Sequence, residues 1–231
     1  MFIGHFAVAL ASKRAAPRVS LGVLVAAAQL ADLVWPIFLL LGWERVRIAP
    51  GDTAFTALDF EHYPWTHSLM MAIVWGVAFA LAYWTWRRDS RGAMVVGLVV
   101  VSHWVLDYVT HRPDLPLTPW SGTRLGLGLW NSVAATMIIE SLIFIAGVWS
   151  YLAMTRARDR VGRWALWSFI IFLVAVYLSG PLTGNAAPPS PRAVAWAALA
   201  LWITPVWGAW IDRHRALQAT TSESAASAES T

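Results

Sequence analysis

Six apolar stretches, each about as long as a bilayer is thick, leave this chain few folds to choose from. They fall at about 20–42, 66–86, 92–111, 130–153, 163–181 and 193–211, and a helix needs ~20 residues to cross the hydrocarbon core. Inside lipid the backbone must satisfy its own N–H and C=O groups, so continuous apolar runs of this length are helices. The composition agrees: 58% of the 231 residues are hydrophobic, 13% are charged and sixteen are Trp. A soluble domain carries about 25% charge, and Trp gathers at membrane–water interfaces. The fold class expected is all-α, a polytopic membrane helix bundle of about six transmembrane helices. Residues 1–12 are apolar but too short to span, and read as a short N-terminal interfacial or re-entrant helix. Residues 1–212 form one transmembrane helical domain. The Ser/Ala/Thr/Glu-rich stretch 213–231 reads as a disordered cytoplasmic tail.

The net charge of +4 does not point to nucleic acid, because the basic residues sit in short clusters between the apolar runs. They read as topology signals. One set of loops, with residues 13–18, 87–91, 156–163 and 213–215, holds twelve of the seventeen Lys and Arg. The loops 43–65, 112–129 and 182–192 hold the other five. By the positive-inside rule both termini are cytoplasmic and the charge-poor loops face outward. The chain has no Cys, which excludes disulfides, iron–sulfur clusters and thiol nucleophiles.

Three acidic residues lie well within the spans, Asp32, Asp107 and Glu140, with His103 and without any Lys or Arg. A carboxylate at that depth is costly and needs a partner. These three must be protonated, hydrated in a cavity or bound to a cation. Their positions along the helices, with His67 at the outer end of the second span, converge on the outer half of the bundle. His103 and Asp107 stand at i, i+4, which puts them on one face with β-carbons roughly 5–6 Å apart. An imidazole nitrogen and a carboxylate oxygen so placed can reach one metal at ~2.0–2.2 Å each. A plain His–Asp pair tying helices together is the alternative, and His111 continues the same face.

In His62-Tyr63-Pro64-Trp65-Thr66-His67-Ser68, Thr66 suits an N-cap and His67 opens the second helix. His62 sits in the loop near Asp59 and Glu61 and reads as solvated surface. The glycine-rich stretch 122–128 lacks the P-loop lysine, and neither G-x-S-x-G nor H-E-x-x-H occurs.

Taken together, Gly4-His5, Asp32, the segment 62–68 and His103 with Asp107 resemble the YdjM-like family of bacterial inner-membrane metal-dependent hydrolases. That family has an N-terminal His, an acidic residue in the next helix, H-R-G-x-T-H-S and H-x-x-x-D in this order. The resemblance covers about residues 1–115. Here Tyr63-Pro64 stands for Arg-Gly, and the early acidic motif is reduced to Ala31-Asp32. The family is distantly similar to zinc-dependent phospholipase C, all-helical enzymes that hold zinc through scattered His and Asp and cleave phosphodiesters. The resemblance implies residence in the inner (cytoplasmic) membrane and a divalent metal, zinc by its donor set, held by His67, His103, Asp107 and His5. It further implies catalytic roles for Asp32 and Glu140, and a lipid phosphoester substrate at the outer face. The 43–65 loop, with Trp43, Phe55, Phe60 and Trp65, would lie over the site. A transporter or proton relay built on Asp32, His103, Asp107 and Glu140 is the competing reading, and a non-catalytic membrane protein with a structural polar network is the third. The absence of an internal repeat and of Gly/Pro-broken spans argues against transport.

Overall fold

A computed structural model describes residues 1–218. The bundle is helical, with helices α1 (Ile3–Ser12), α2 (Leu21–Ala28), α3 (Leu30–Leu40), α4 (Pro64–His67), α5 (Leu69–Arg87), α6 (Ser90–Thr110), α7 (Val133–Met154), α8 (Arg160–Leu182), α9 (Pro191–Leu199) and α10 (Ile203–Arg213). α5, α6, α7 and α8 are each long and apolar enough to cross a membrane, and so is the continuous stretch Pro191–Arg213. α2 and α3, bent by 54° at the break between them, bring the number of crossings from five to six when they are counted as one span. The outward faces of α6, α7 and α8 carry exposed Leu98, Leu142, Ile145, Trp149, Trp164 and Ile171, an apolar surface that water does not tolerate and lipid does.

The bend in the first crossing falls at Gln29, which caps both half-helices. Neither glycine nor proline marks it, so the hydropathy pattern reads 20–42 as one continuous span. At the break, the Ala28 carbonyl accepts from His103 Nδ1 at 2.8 Å. In an unbroken helix that carbonyl would belong to the amide of Asp32.

α1 is the expected short N-terminal helix, and it lies inside the bundle rather than on its surface. Ile3, Gly4, His5, Phe6, Ala7, Ala9 and Leu10 are buried, and the helix packs against α7, α2 and α6. The approach to α7 is tight because Gly147 offers no side chain: a Cβ there would stand 2.5 Å from the Ala7 carbonyl oxygen. Small residues give the same backbone-to-backbone contact at Gly22 against α10 and at Gly76 against Gly97, which is how helices gain packing energy where lipid supplies no hydrophobic drive.

Three short two-stranded ribbons, absent from the all-helical expectation, finish the loops. β1 (Arg45–Ile48) pairs antiparallel with β2 (Leu58–His62), β3 (Leu115–Pro116) with β4 (Arg124–Leu125), and β5 (Thr155–Ala157) with β6 (Arg215–Leu217). The last pair corrects the expected start of the tail. Arg215 is buried, its guanidinium bonded to Thr155 and to the Gly162 carbonyl, so the folded chain runs past residue 212. The remainder of that expected tail, 219–231, lies outside the described residues.

Candidate metal centre

Each side chain of the centre is delivered by a different local device. His103 and Asp107 come from one face of α6, a helix capped by Asp89 and entered through Arg88 in the left-handed region (φ 53°). Asp32 stands in the first turn of α3, just beyond the break. His67 ends the four-residue helix α4, and Ser68 rather than Thr66 caps α5 by accepting from the Met71 amide. The extended backbone at Ser68 turns His67 inward, where it is buried rather than solvated. His5 enters from buried α1.

Four donor atoms then form a ring. Asp107 Oδ2 is 3.1 Å from His103 Nε2 and 3.9 Å from His67 Nε2. Asp32 Oδ1 is 3.5 Å from His67 Nε2 and 3.8 Å from His103 Nε2. A tetrahedral ion with bonds of ~2.0–2.2 Å holds its donors roughly 3.4 Å apart, and these four separations straddle that value. His103 Nε2 is buried and makes no hydrogen bond among the described residues despite its closeness to Asp107. An orphaned imidazole nitrogen facing two carboxylates fits a metal-ligand role. The groups His5–His103–Asp107 and Asp32–His67–His103 each bring their donor atoms within 4.8 Å of one another.

Asp107 serves two sides. While Oδ2 faces the ring, Oδ1 meets His5 Nε2 at 3.0 Å and the Met1 amino group, which also reaches Thr110 Oγ1 at 3.1 Å. Among the described residues no Lys or Arg side chain pairs with Asp32, Asp107 or Glu140. The His5 and His103 rings stack at 3.7 Å, nearly parallel.

Glu140 converges on the same region but is occupied otherwise. Its Oε2 accepts from the amides of Phe2 (2.9 Å) and Gly4 (3.4 Å), the open N-terminal donors of α1. His111 leaves the shared face because it caps α6 with extended backbone. Its Nδ1 sits 3.0 Å from Asp114, which also accepts the Tyr63 hydroxyl at 2.7 Å. Burial pushes the His111 imidazole below its ordinary value and the Tyr63 phenol above its own. His62 is in β2, partly exposed and outside the cluster. Sequence reading missed Glu44, which is buried and holds Thr66 beside His67.

The expected covering loop does pack over this end. Phe60 of β2 lies against Trp35, Tyr63, His111 and Trp130, and Trp35 meets the His67 ring edge-on. Arg112 bonds Asp52 and Asp59 of this loop and Asp114 of the next. Beside it, Phe38, Trp43, Trp65, Met71 and Trp75 line an apolar groove of about 370 Å³. Trp75 also lines a small pocket against His67 and His103.

No curated protein and no solved structure matches the chain. The model of one family, described as YdjM inner membrane protein, matches residues 1–183, well beyond the 115 residues that carry the motifs. With the lipid-compatible surface and the buried His/Asp cluster, that match means that the chain belongs to the YdjM family and is a multi-pass inner membrane protein.

Proposed function

We propose that this protein is a membrane-embedded metal-dependent hydrolase that acts on a lipid phosphoester. The observation that carries the reading is the convergence of His67 Nε2 and His103 Nε2 on Asp107 Oδ2, at 3.9 and 3.1 Å, with Asp32 Oδ1 beside both imidazoles at 3.5 and 3.8 Å. Two imidazoles with carboxylates suit zinc better than magnesium, which prefers oxygen donors. A bound zinc ion would supply water of lowered pKa and a positive point for a phosphoryl oxygen.

The chain's own groups divide the remaining work. Asp32 has 24% of its side chain exposed, against 5% for His67, 3% for His103 and 2% for Asp107. It is therefore the carboxylate that an incoming substrate meets, and it takes the proton of the attacking water. His67, His103 and Asp107 hold the centre, and His5 fixes Asp107 from behind. Glu140 acts by tying down the start of α1. The aromatic groove, which shares the Trp75 wall with the small pocket at His67, suits an acyl chain whose phosphoester lies at Asp32. Phe60 and the β1–β2 ribbon keep bulk water from this end.

Metal analysis of the full-length protein purified in detergent tests the reading, paired with release of headgroup phosphate from phospholipid vesicles. Wild type should carry zinc and hydrolyse, Asp107→Ala should lose both, and a change at His214 should alter neither. Protein that carries no metal and gains no thermal stability from added Zn²⁺ or Mn²⁺ would sink the hydrolase.

The break at Gln29 favours one other reading. A discontinuous helix beside buried titratable groups is the architecture of transporter sites, and here it adjoins Asp32 and His103. A transporter or proton relay would move an ion or proton in a vesicle flux assay without needing metal.

A further inference from the structure

Glu44 follows the end of α3 and belongs to no motif, yet only 1% of it is exposed. Its Oε1 accepts from the backbone amides of Trp65 and Thr66, each at 2.9 Å. Its Oε2 accepts the Thr66 hydroxyl at 2.7 Å. A hydroxyl has one proton to donate, and with Glu44 ionised the Thr66 hydroxyl donates it to Glu44 Oε2. Toward His67 Nδ1, 2.7 Å away, the Thr66 oxygen can only accept. A neutral imidazole carries one proton, so that proton sits on Nδ1. Nε2 is left with a bare lone pair, facing Asp32 at 3.5 Å and Asp107 at 3.9 Å.

His103 is set in the same way by a different acceptor. The Ala28 carbonyl freed at the helix break can only accept, so it takes the His103 Nδ1 proton at 2.8 Å, and Nε2 again faces the ring. Two histidines from distant segments thus present the same nitrogen to the same place. A proton on either Nε2 would block the lone pair that a metal needs.

We infer that Glu44 and Thr66 are positioning residues that hold His67 in its Nδ1–H tautomer and so present Nε2 to the metal centre. The inference rests on the metal reading above and deepens it. Hydrogen-bonded partners of ligating histidines of this kind typically affect metal affinity 10–100-fold when removed. The carboxylate matters for direction, not only for contact. In Glu44→Gln the amide oxygen can keep the two backbone amides, but the –NH₂ then faces Thr66 and donates to it. The Thr66 proton, its acceptor on Glu44 gone, turns to its other partner His67 Nδ1, and the imidazole proton moves to Nε2.

The experiment uses the full-length protein in detergent, labelled with ¹⁵N-histidine. The His67 tautomer is read by NMR in the metal-free state, and zinc affinity is measured by titration. Wild type and Thr66→Ser should show the Nδ1–H form and the same affinity. Glu44→Gln should show Nε2–H and bind zinc roughly 10–100-fold more weakly. If Glu44→Gln does not fold, Thr66→Val takes its place and should also weaken zinc. A wild type that binds zinc with the His67 proton on Nε2 overturns this inference alone. So does Glu44→Gln, or Thr66→Val, with unchanged affinity. A wild type that binds no zinc overturns the metal reading, and with it the purpose assigned to Glu44, whatever tautomer His67 adopts.

Discussion

The two oxygens of Asp107 have separate duties, one toward His5 and the Met1 amine and one toward the ring. This makes Asp107 the least replaceable residue of the centre. Glu140 is different, since both bonds of its Oε2 go to backbone amides of α1. Glu140→Gln keeps an acceptor there and should retain metal, as checked by metal content per chain. Glu140→Ala strands the buried Gly4 amide at about 1–3 kcal/mol and frees the half-buried Phe2 amide, and should lower the unfolding midpoint in detergent. Full loss of zinc in Glu140→Gln would make Glu140 a ligand instead. His111 gives a pH dependence. Its value is depressed by burial, so folded protein binds fewer protons there than unfolded protein does. The stability it allows is present above about pH 6.5 and is lost as pH falls through that value toward the depressed one. A His111→Asn protein should show a flatter stability profile below about pH 6.5, and an unchanged slope would assign the acid sensitivity to another group. At this scale the sequence announces what is local. His103 and Asp107 are legible because i, i+4 spacing alone places them on one face, and an apolar helix makes both conspicuous there. Glu44 is not, because its partners Trp65 and Thr66 lie more than twenty residues on and a carboxylate after a helix end looks like surface.

Hydropathy locates spans well because length and apolarity are properties of the segment itself. It is blind to the break at Gln29, where tertiary contact with His103 decides, and to the ribbons, whose strands of two to five residues carry too little pattern. It leaves open whether α1 lies at the interface or enters the bundle, because the burial of α1 depends on α7 rather than on its own ten residues. The α1–α7 contact yields an element-scale prediction. Gly147→Val should push α1 away, since even a Cβ would meet the Ala7 backbone at 2.5–2.9 Å. Overpacking of this kind costs about 1–3 kcal/mol, and the shift of His5 should weaken zinc binding as well. Gly122→Ala, where nothing lies within 4 Å of the added atom, is the matched control. Equal stability and zinc affinity in the two variants would mean that α1 and α7 yield without disturbing the centre.

For the whole molecule, the distribution of twelve against five basic residues between alternating loops predicts its orientation. Reporter fusions after Arg91 and after Arg163 should read cytoplasmic, and fusions near Asp52 and Leu117 external. An external signal after Arg163 would break the six-crossing arrangement. The burial of α1 has a consequence in time as well as in space. Of the described helices α1 is made first, yet it is too short to span a bilayer, and the helix that covers it, α7, is completed only at Met154. Until then α1 has no finished place to go, and His5 cannot reach Asp107 in its final setting. The centre therefore closes late in synthesis, well after His67 and His103 have been made. The chain contains no cysteine, so a single Ala9→Cys substitution, at a position with 0% exposure, reports this order directly. Ribosome-bound chains ending near residue 128 should react with a water-soluble maleimide at that cysteine, and chains that have fully emerged beyond Leu182 should not.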